Sequence, residues 1–240
     1  QRLDVIASQT WPSGPKLVQS TQGHFEAQCR QPGRGSLGHR TKGIFYFLKG
    51  TIRRMARTAR ASGGGLCYHV LNRGNGRAEV FPIDADYAAS VELLAKANAR
   101  LPIQPLGYVL MPNHFHLVVW PRADGDLSRW VQRLLTSHVR RCHRHYQGSG
   151  HVWQGRFQAF PIQKDDHLLT VLRYVERNPL RANLVDRAEA WPWSSLAWRA
   201  CGPRPELLSD WPVPCPRRWI QTVNAAQSDA ELDALRRSVV

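Results

Sequence analysis

The chain has 240 residues and a formal net charge of +15, with a pI of about 10.5. So basic a chain points to a polyanion partner, nucleic acid first, and away from ordinary small-molecule enzymes. No apolar run approaches the roughly 18 residues that cross a bilayer, and no signal peptide is recognisable, so no membrane role and a cytoplasmic, nucleoid-associated location are expected.

Residues 1–54 are rich in Gly, Ser, Gln and Arg, and their one apolar run, Ile44 to Leu48, stands alone. They read as a disordered leader. Nine Lys/Arg against two Asp/Glu in this leader leave +8 for residues 55–240. Met55, one of two methionines with Met111, opens the patterned region and offers a translation start. The five cysteines, Cys29, Cys67, Cys142, Cys201 and Cys215, are odd in number and contain no Cys-x-x-Cys pair. Neither a disulfide framework nor a cysteine zinc site is indicated.

From Leu66 the pattern is regular. Cys67 to Leu71 reads as a strand and Gly74-Asn75-Gly76 as a turn. Asp84 is placed to cap a helix running to about Ala99, with Tyr87, Val91, Leu94 and Asn98 on one face. Gly107 to Leu110 and His114 to Trp120 read as strands joined by the turn Met111-Pro112-Asn113, a hairpin. A helix from about Leu127 to Tyr146 repeats Leu127, Trp130, Val131, Leu134, Leu135 and His138 at helical spacing. Gly148-Ser149-Gly150 breaks it, and Phe157 to Ile162 forms a fourth strand. Asp165 caps a last core helix that should stop near Asn178, before Pro179.

This order predicts an α+β fold: a ferredoxin-like split βαβ core over residues 55–200, with an antiparallel sheet, helices on one face and one appended helix. Residues 201–240 read as a docked tail rich in Pro and Trp, helical from about Asp229.

The strand His114-Phe115-His116-Leu117-Val118-Val119 carries the first chemical signal. Strand alternation turns both imidazoles to one side and Phe115, Leu117 and Val119 to the core. Two neutral imidazoles side by side form half of a metal site, or simply the polar face of a strand. His138, His143 and His145 lie on a basic helix and read as facing solvent or phosphate. In the last helix Leu168, Val171, Leu172 and Val175 make the buried stripe, while Tyr174 and Asn178 stack four apart at its margin. On spacing alone Tyr174 is better explained as a core tyrosine with a wet hydroxyl.

The joint pattern is more specific than its parts. Tyr108-Val-Leu-Met-Pro-Asn-His-Phe-His116, Trp153-Gln-Gly-Arg-Phe157, Arg173-Tyr-Val-Glu-Arg-Asn-Pro-Leu-Arg-Ala182 and Trp191-Pro-Trp-Ser-Ser195 resemble the REP-associated tyrosine transposases, single-strand nucleases of the HUH type. Tyr68-His-Val-Leu-Asn-Arg-Gly74 is similar to that family's first strand. The resemblance spans roughly residues 65–200, with a similar tail beyond. It implies that His114 and His116 are metal ligands, that Asn178 is the third ligand, and that Tyr174 is the nucleophile. Relatives often carry Gln where Asn178 stands, so the shorter Asn is a departure. It further implies a divalent ion, Mg²⁺ or Mn²⁺, a 5′-phosphotyrosine intermediate, and hairpin-forming palindromic repeats with a single-stranded guide as substrate.

Tyr146, at the end of the basic helix, is the rival nucleophile. Arg129, Arg133, Arg140, Arg141 and Arg144 on that helix are expected to track phosphates, or to form a solvated face. Trp153 would stack an unpaired base or pack in the core; Gln154 and Arg156 follow it in the same loop, and Arg73 ends the first strand near the cleavage site. Trp191 and Trp193 are expected to pack. Two other classes compete: a hairpin-binding regulator without catalysis, and a zinc hydrolase or deaminase, for which His-x-Glu and Cys-x-x-Cys motifs are missing. Whether the chain acts as monomer or homodimer is open.

Overall fold

A computed structural model describes residues 62–101, 103–201, 205–227 and 231. The leader 1–54, Met55 and, except for Glu231, the helix expected after Asp229 lie outside these residues. The elements run β1 (Cys67–Arg73), α1 (Asp84–Arg100), β2 (Ile103–Met111), β3 (His114–Pro121), α2 (Asp126–Tyr146), β4 (Gln158–Ile162), α3 (Asp166–Glu176), α4 (Asn178–Arg181), α5 (Ser195–Cys201) and α6 (Trp219–Asn224). The sheet is four-stranded in the order β2-β3-β1-β4, and every pairing is antiparallel. β1 and β2 therefore flank β3, the split βαβ arrangement expected.

Alternation on β3 divides the molecule into layers. Phe115 and Leu117 line one crevice with Leu94 of α1 and Leu134 and His138 of α2. His116 faces the other way, towards Tyr174 of α3. The two core helices, α1 and α2, share one face as expected, and the appended helix α3 covers the opposite face. α3 lies close because Gly107 of β2 has no side chain. A Cβ there would stand 2.7 Å from Leu172 Cδ2 and 3.3 Å from Ser195 Oγ.

Three local expectations are corrected. Ile83, not Asp84, occupies the cap position of α1, and no side chain caps that helix. Asp165 does cap α3, accepting from the His167 amide, but the last helix is two: α3 ends at Glu176 and α4 begins at Asn178, with Pro179 in its first turn. Pro179 lacks the amide that would continue the α3 ladder. His138 is buried against Phe81 and Trp153 rather than facing solvent.

The segment after residue 184 docks on α3. Glu176, wholly buried, accepts from Ser195 Oγ at 2.6 Å and Trp219 Nε1 at 2.6 Å, and pairs with Arg199 at 3.3 Å. Arg177 donates to the carbonyls of Val223 and Asn224. Trp191 donates to the Leu110 carbonyl, and both Trp191 and Trp193 pack in the core as expected. Among the described residues no helix is long and apolar enough to cross a membrane.

Candidate functional site

Three imidazoles share the sheet face beneath α3. His114 and His116 are two apart on β3, with ring centroids 5.1 Å apart. β1 places Leu71 opposite His116 and Arg73 opposite His114, so His69, two residues before Leu71, points to the same side. His69 Nε2 lies 2.8 Å from His116 Nδ1. His114 Nδ1 lies 2.6 Å from Asn113 Oδ1. Both β3 histidines thus use Nδ1 internally.

Burial removes water that would stabilise imidazolium. It brings the pKa values of His69 and His114 down to about 4, with Arg73 and Arg181 adding to the effect at His114. His116 is pushed well below its ordinary value by burial, then by neighbouring His69 and His114 and by Arg181 and Arg73. All three rings are neutral at physiological pH, the form in which imidazole binds metal.

α3 brings Tyr174 to these rings. Its ring meets His116 edge-on at 5.8 Å and His69 at 6.2 Å. Asn178, at the start of α4, is 2% exposed. Arg181, one turn further on, joins the two: its Nη2 lies 3.3 Å from the Tyr174 hydroxyl and 3.3 Å from Asn178 Oδ1, with the guanidinium carbon 4.7 Å from the Tyr174 ring centre.

Among the described residues no group of three or more His, Cys, Asp or Glu side chains is arranged to hold a metal ion. A metal here would need the amide of Asn178 beside the two imidazoles. That donor set fits. The Nδ1 atoms of His114 and His116 are engaged, which leaves their Nε2 atoms as the donors, and the third donor would be the Asn178 side-chain oxygen, which here accepts from Arg181.

The other expected residues fall in three places. Arg73 is exposed at the end of β1 beside His114. The Gln154 amide donates to the Arg73 carbonyl and Asn72 Nδ2 to the Gly155 carbonyl, which pins the loop bearing exposed Gln154 and Arg156 to that same end of the sheet. Arg129, Arg133, Arg140 and Arg144 are exposed on α2, in the layer opposite the imidazoles, and Arg129 pairs with Asp126. The structure does not bring these four to the site.

Two assignments are corrected. Arg141 pairs with the wholly buried Asp86 of α1 and donates to the Ala85 carbonyl, so it anchors α2 to α1 instead of facing phosphate. Trp153 is 6% exposed and packs against Phe81, Phe115 and His138; a backbone bridge to Gly74 draws it inward, and it presents no face to a base. The rival Tyr146 donates to Asp86 behind the sheet, where burial and that carboxylate raise its pKa. It is remote from the imidazole face.

Sequence reasoning passed over His69, Asn113 and Arg181. His69 had a signal, a lone histidine inside an apolar strand. Arg181 lay just beyond the expected helix end.

A model of the family described as "Transposase IS200 like" matches residues 64–178, a span from the approach to β1 through Asn178. A Haemophilus influenzae protein named "Putative REP-associated tyrosine transposase" is 28% identical over 106 residues, which make up 40% of this chain and 60% of that one. The chain thus spans less than two thirds of that relative. A solved structure, that of a REP-associated tyrosine transposase bound to a REP hairpin, aligns at 22% identity and a TM-score of 0.49, over 59% of this chain and 82% of the other. The chain is thus similar to the IS200-like transposases over residues 64–178, just under half of its length, and the curated relative it resembles is a REP-associated tyrosine transposase.

Proposed function

We propose that the chain is a metal-dependent endonuclease and strand transferase for single-stranded DNA beside hairpins of palindromic repeats, with Tyr174 as nucleophile. One observation carries the reading: the Tyr174 phenol stands edge-on to His116, 5.8 Å between ring centres, within one chain. No second copy is needed to complete the pair.

In the proposed step the Tyr174 oxygen attacks phosphorus in line. The bond from phosphorus to the 3′ oxygen breaks, the phenol gives up its proton to solvent, and the leaving oxygen takes one up. The products are a 5′-phosphotyrosine and a 3′ hydroxyl. One phosphodiester replaces another, so a different 3′ hydroxyl can attack the phosphotyrosine and rejoin strands. A divalent ion, Mg²⁺ or Mn²⁺, held by His114, His116 and Asn178 would supply charge neutralisation at the non-bridging oxygens. Arg181 places a fixed cation at the Tyr174 hydroxyl, where negative charge gathers as the proton leaves. Arg73, Gln154 and Arg156 stand where DNA would enter beside His114. Arg129, Arg133, Arg140 and Arg144 would hold a more distant part of the duplex stem.

The test is incubation with a hairpin oligonucleotide carrying single-stranded flanks, with and without Mn²⁺ or Mg²⁺. A covalent adduct on a denaturing gel, dependent on metal and lost in Tyr174→Phe, supports the reading; an adduct surviving in Tyr174→Phe removes Tyr174 from the chemistry. One observation favours a second reading, a hairpin-binding protein without catalysis: Arg181 already occupies both the Tyr174 hydroxyl and the Asn178 oxygen. Tight binding with no adduct under any metal would select it.

A further inference from the structure

We infer that His69 is a positioning residue that holds the His116 ring with its proton on Nδ1, so that Nε2 keeps a free lone pair for the ion; the inference rests on the metal-dependent reading above. The proposed reaction gives His69 no role, although its ring also meets that of Tyr174 at 6.2 Å. Yet it is wholly buried in the strand Tyr68-His69-Val70, where an apolar side chain would pack without a polar penalty. Its Nε2 lies 2.8 Å from His116 Nδ1, the ring planes differ by 18° and the centroids are 5.0 Å apart. Nearly coplanar rings joined nitrogen to nitrogen meet edge to edge, along the direction of an in-plane N–H···N bond.

Such a bond contains one proton, and its two arrangements differ at the far side of His116. With His116 as donor, His116 Nε2 is unprotonated and can bind a cation. With His69 as donor, His116 Nε2 carries hydrogen and cannot. His114 provides the comparison. Its Nδ1 faces Asn113 Oδ1 at 2.6 Å, while Asn113 Nδ2 donates to the Arg77 carbonyl at 3.2 Å. That second bond fixes the amide with its oxygen towards His114, so His114 must carry its proton on Nδ1 and leave Nε2 open. The two β3 rings act as a matched pair only if His69 accepts from His116 as Asn113 accepts from His114. The arrangement leaves the second nitrogen of His69, Nδ1, protonated and without a partner. Supporting contacts of this kind orient a ligand ring and fix its tautomer, and their loss costs metal affinity.

The experiment uses the full chain, metal-free, with ¹⁵N-labelled histidine. Long-range ¹H–¹⁵N spectra should place the His116 proton on Nδ1 in the wild type and in His69→Gln, whose amide oxygen reaches the position of Nε2, and should lose that preference in His69→Leu. Calorimetric titration with Mn²⁺ should show His69→Leu weakened by about 10- to 100-fold and His69→Gln close to wild type. Thermal melting checks that each variant folds. If His69→Leu does not fold, His69→Asn replaces it, being polar but too short to reach His116. A His116 proton on Nε2 in the wild type, or Mn²⁺ binding by folded His69→Leu equal to wild type, overturns the assignment. A wild type that takes up no Mn²⁺ defeats the metal reading instead, and the spectra still decide the role of His69.

Discussion

Arg181 donates from one guanidinium nitrogen to both the Tyr174 hydroxyl and the Asn178 side-chain oxygen, each at 3.3 Å. α4 exists because Pro179 ends α3 and starts a new turn, and that turn sets Arg181 over the Tyr174 ring. A fixed cation at the attacking oxygen lowers the cost of charge appearing there. Arg181→Gln should slow single-turnover adduct formation by about 100-fold, the scale of losing one oriented donor, with hairpin affinity changed far less. If adduct formation keeps its wild-type rate, Arg181 serves only to hold α4.

Gly107 governs how closely Tyr174 approaches the imidazoles. A methyl group there would stand 2.7 Å from Leu172 Cδ2, inside any tolerable contact. Gly107→Ala should cost about 1–3 kcal/mol in urea unfolding, the range for overpacking. It should also lower adduct formation by lifting α3. Leu172→Val in the same chain removes a methyl at the clash and should restore part of both. Failure of the double variant to recover would mean that the damage lies in the β2 backbone instead.

Much of this site is legible in the sequence. Period-two alternation alone separates His114 and His116 from Phe115 and Leu117, because a strand admits no other division. The break at Pro179 was legible too, since proline has no amide to donate. What stayed hidden depends on contacts between distant segments. The bond between His69 and His116 joins residues 47 apart, and only the pairing of β1 with β3 creates it. Arg141 looks like its neighbours on α2 until Asp86 is seen buried beneath it. Trp153 sits in a glycine-flanked loop that favours exposure, and the bridge to Gly74 overrides that preference.

Burial of neutral histidines predicts an acid-sensitive fold. His69, His114 and His138 are each brought down to about 4 by burial, with His116 displaced in the same direction. In the unfolded chain each titrates near 6.5. Between those values the unfolded state binds protons that the folded state refuses, so stability falls as pH drops from about 6.5 to about 4 and this contribution levels off below. Each such histidine adds a slope of up to about 1.4 kcal/mol per pH unit. Urea midpoints of the metal-free protein should decline across that window. A flat profile would mean that these rings are protonated in the native state.

Glu176 should anchor the tail rather than serve the chemistry. Its carboxylate is wholly buried and gathers Ser195 and Arg199 of α5 and Trp219 of α6. Glu176→Ala strands Arg199, 18% exposed at its side chain, and should cost about 3–5 kcal/mol, the range for breaking a buried pair. Limited proteolysis should then cut first within residues 205–227. Destabilisation below about 1 kcal/mol would show that the tail is held by its tryptophans alone.

The two classes of arginine separate by salt dependence. Each phosphate contact contributes about 0.7 to the slope of log affinity against log salt for single strands. Arg73 is exposed beside His114 at the end of β1, so Arg73→Gln should reduce the slope for the single-stranded flank by about that amount while leaving stability unchanged. Arg141 is spent on Asp86, so Arg141→Gln should do the opposite: the slope stays, and unfolding becomes easier because a buried carboxylate loses its counter-charge. Arg133→Gln and Arg140→Gln, on the exposed face of α2, test whether the stem reaches round the sheet. A lower slope for hairpin DNA but not for unstructured single strands would place the stem on α2. An unchanged slope for both would make that face solvated surface. Fluorescence anisotropy at four or five salt concentrations, with duplex-stem and unpaired oligonucleotides in parallel, decides among these outcomes.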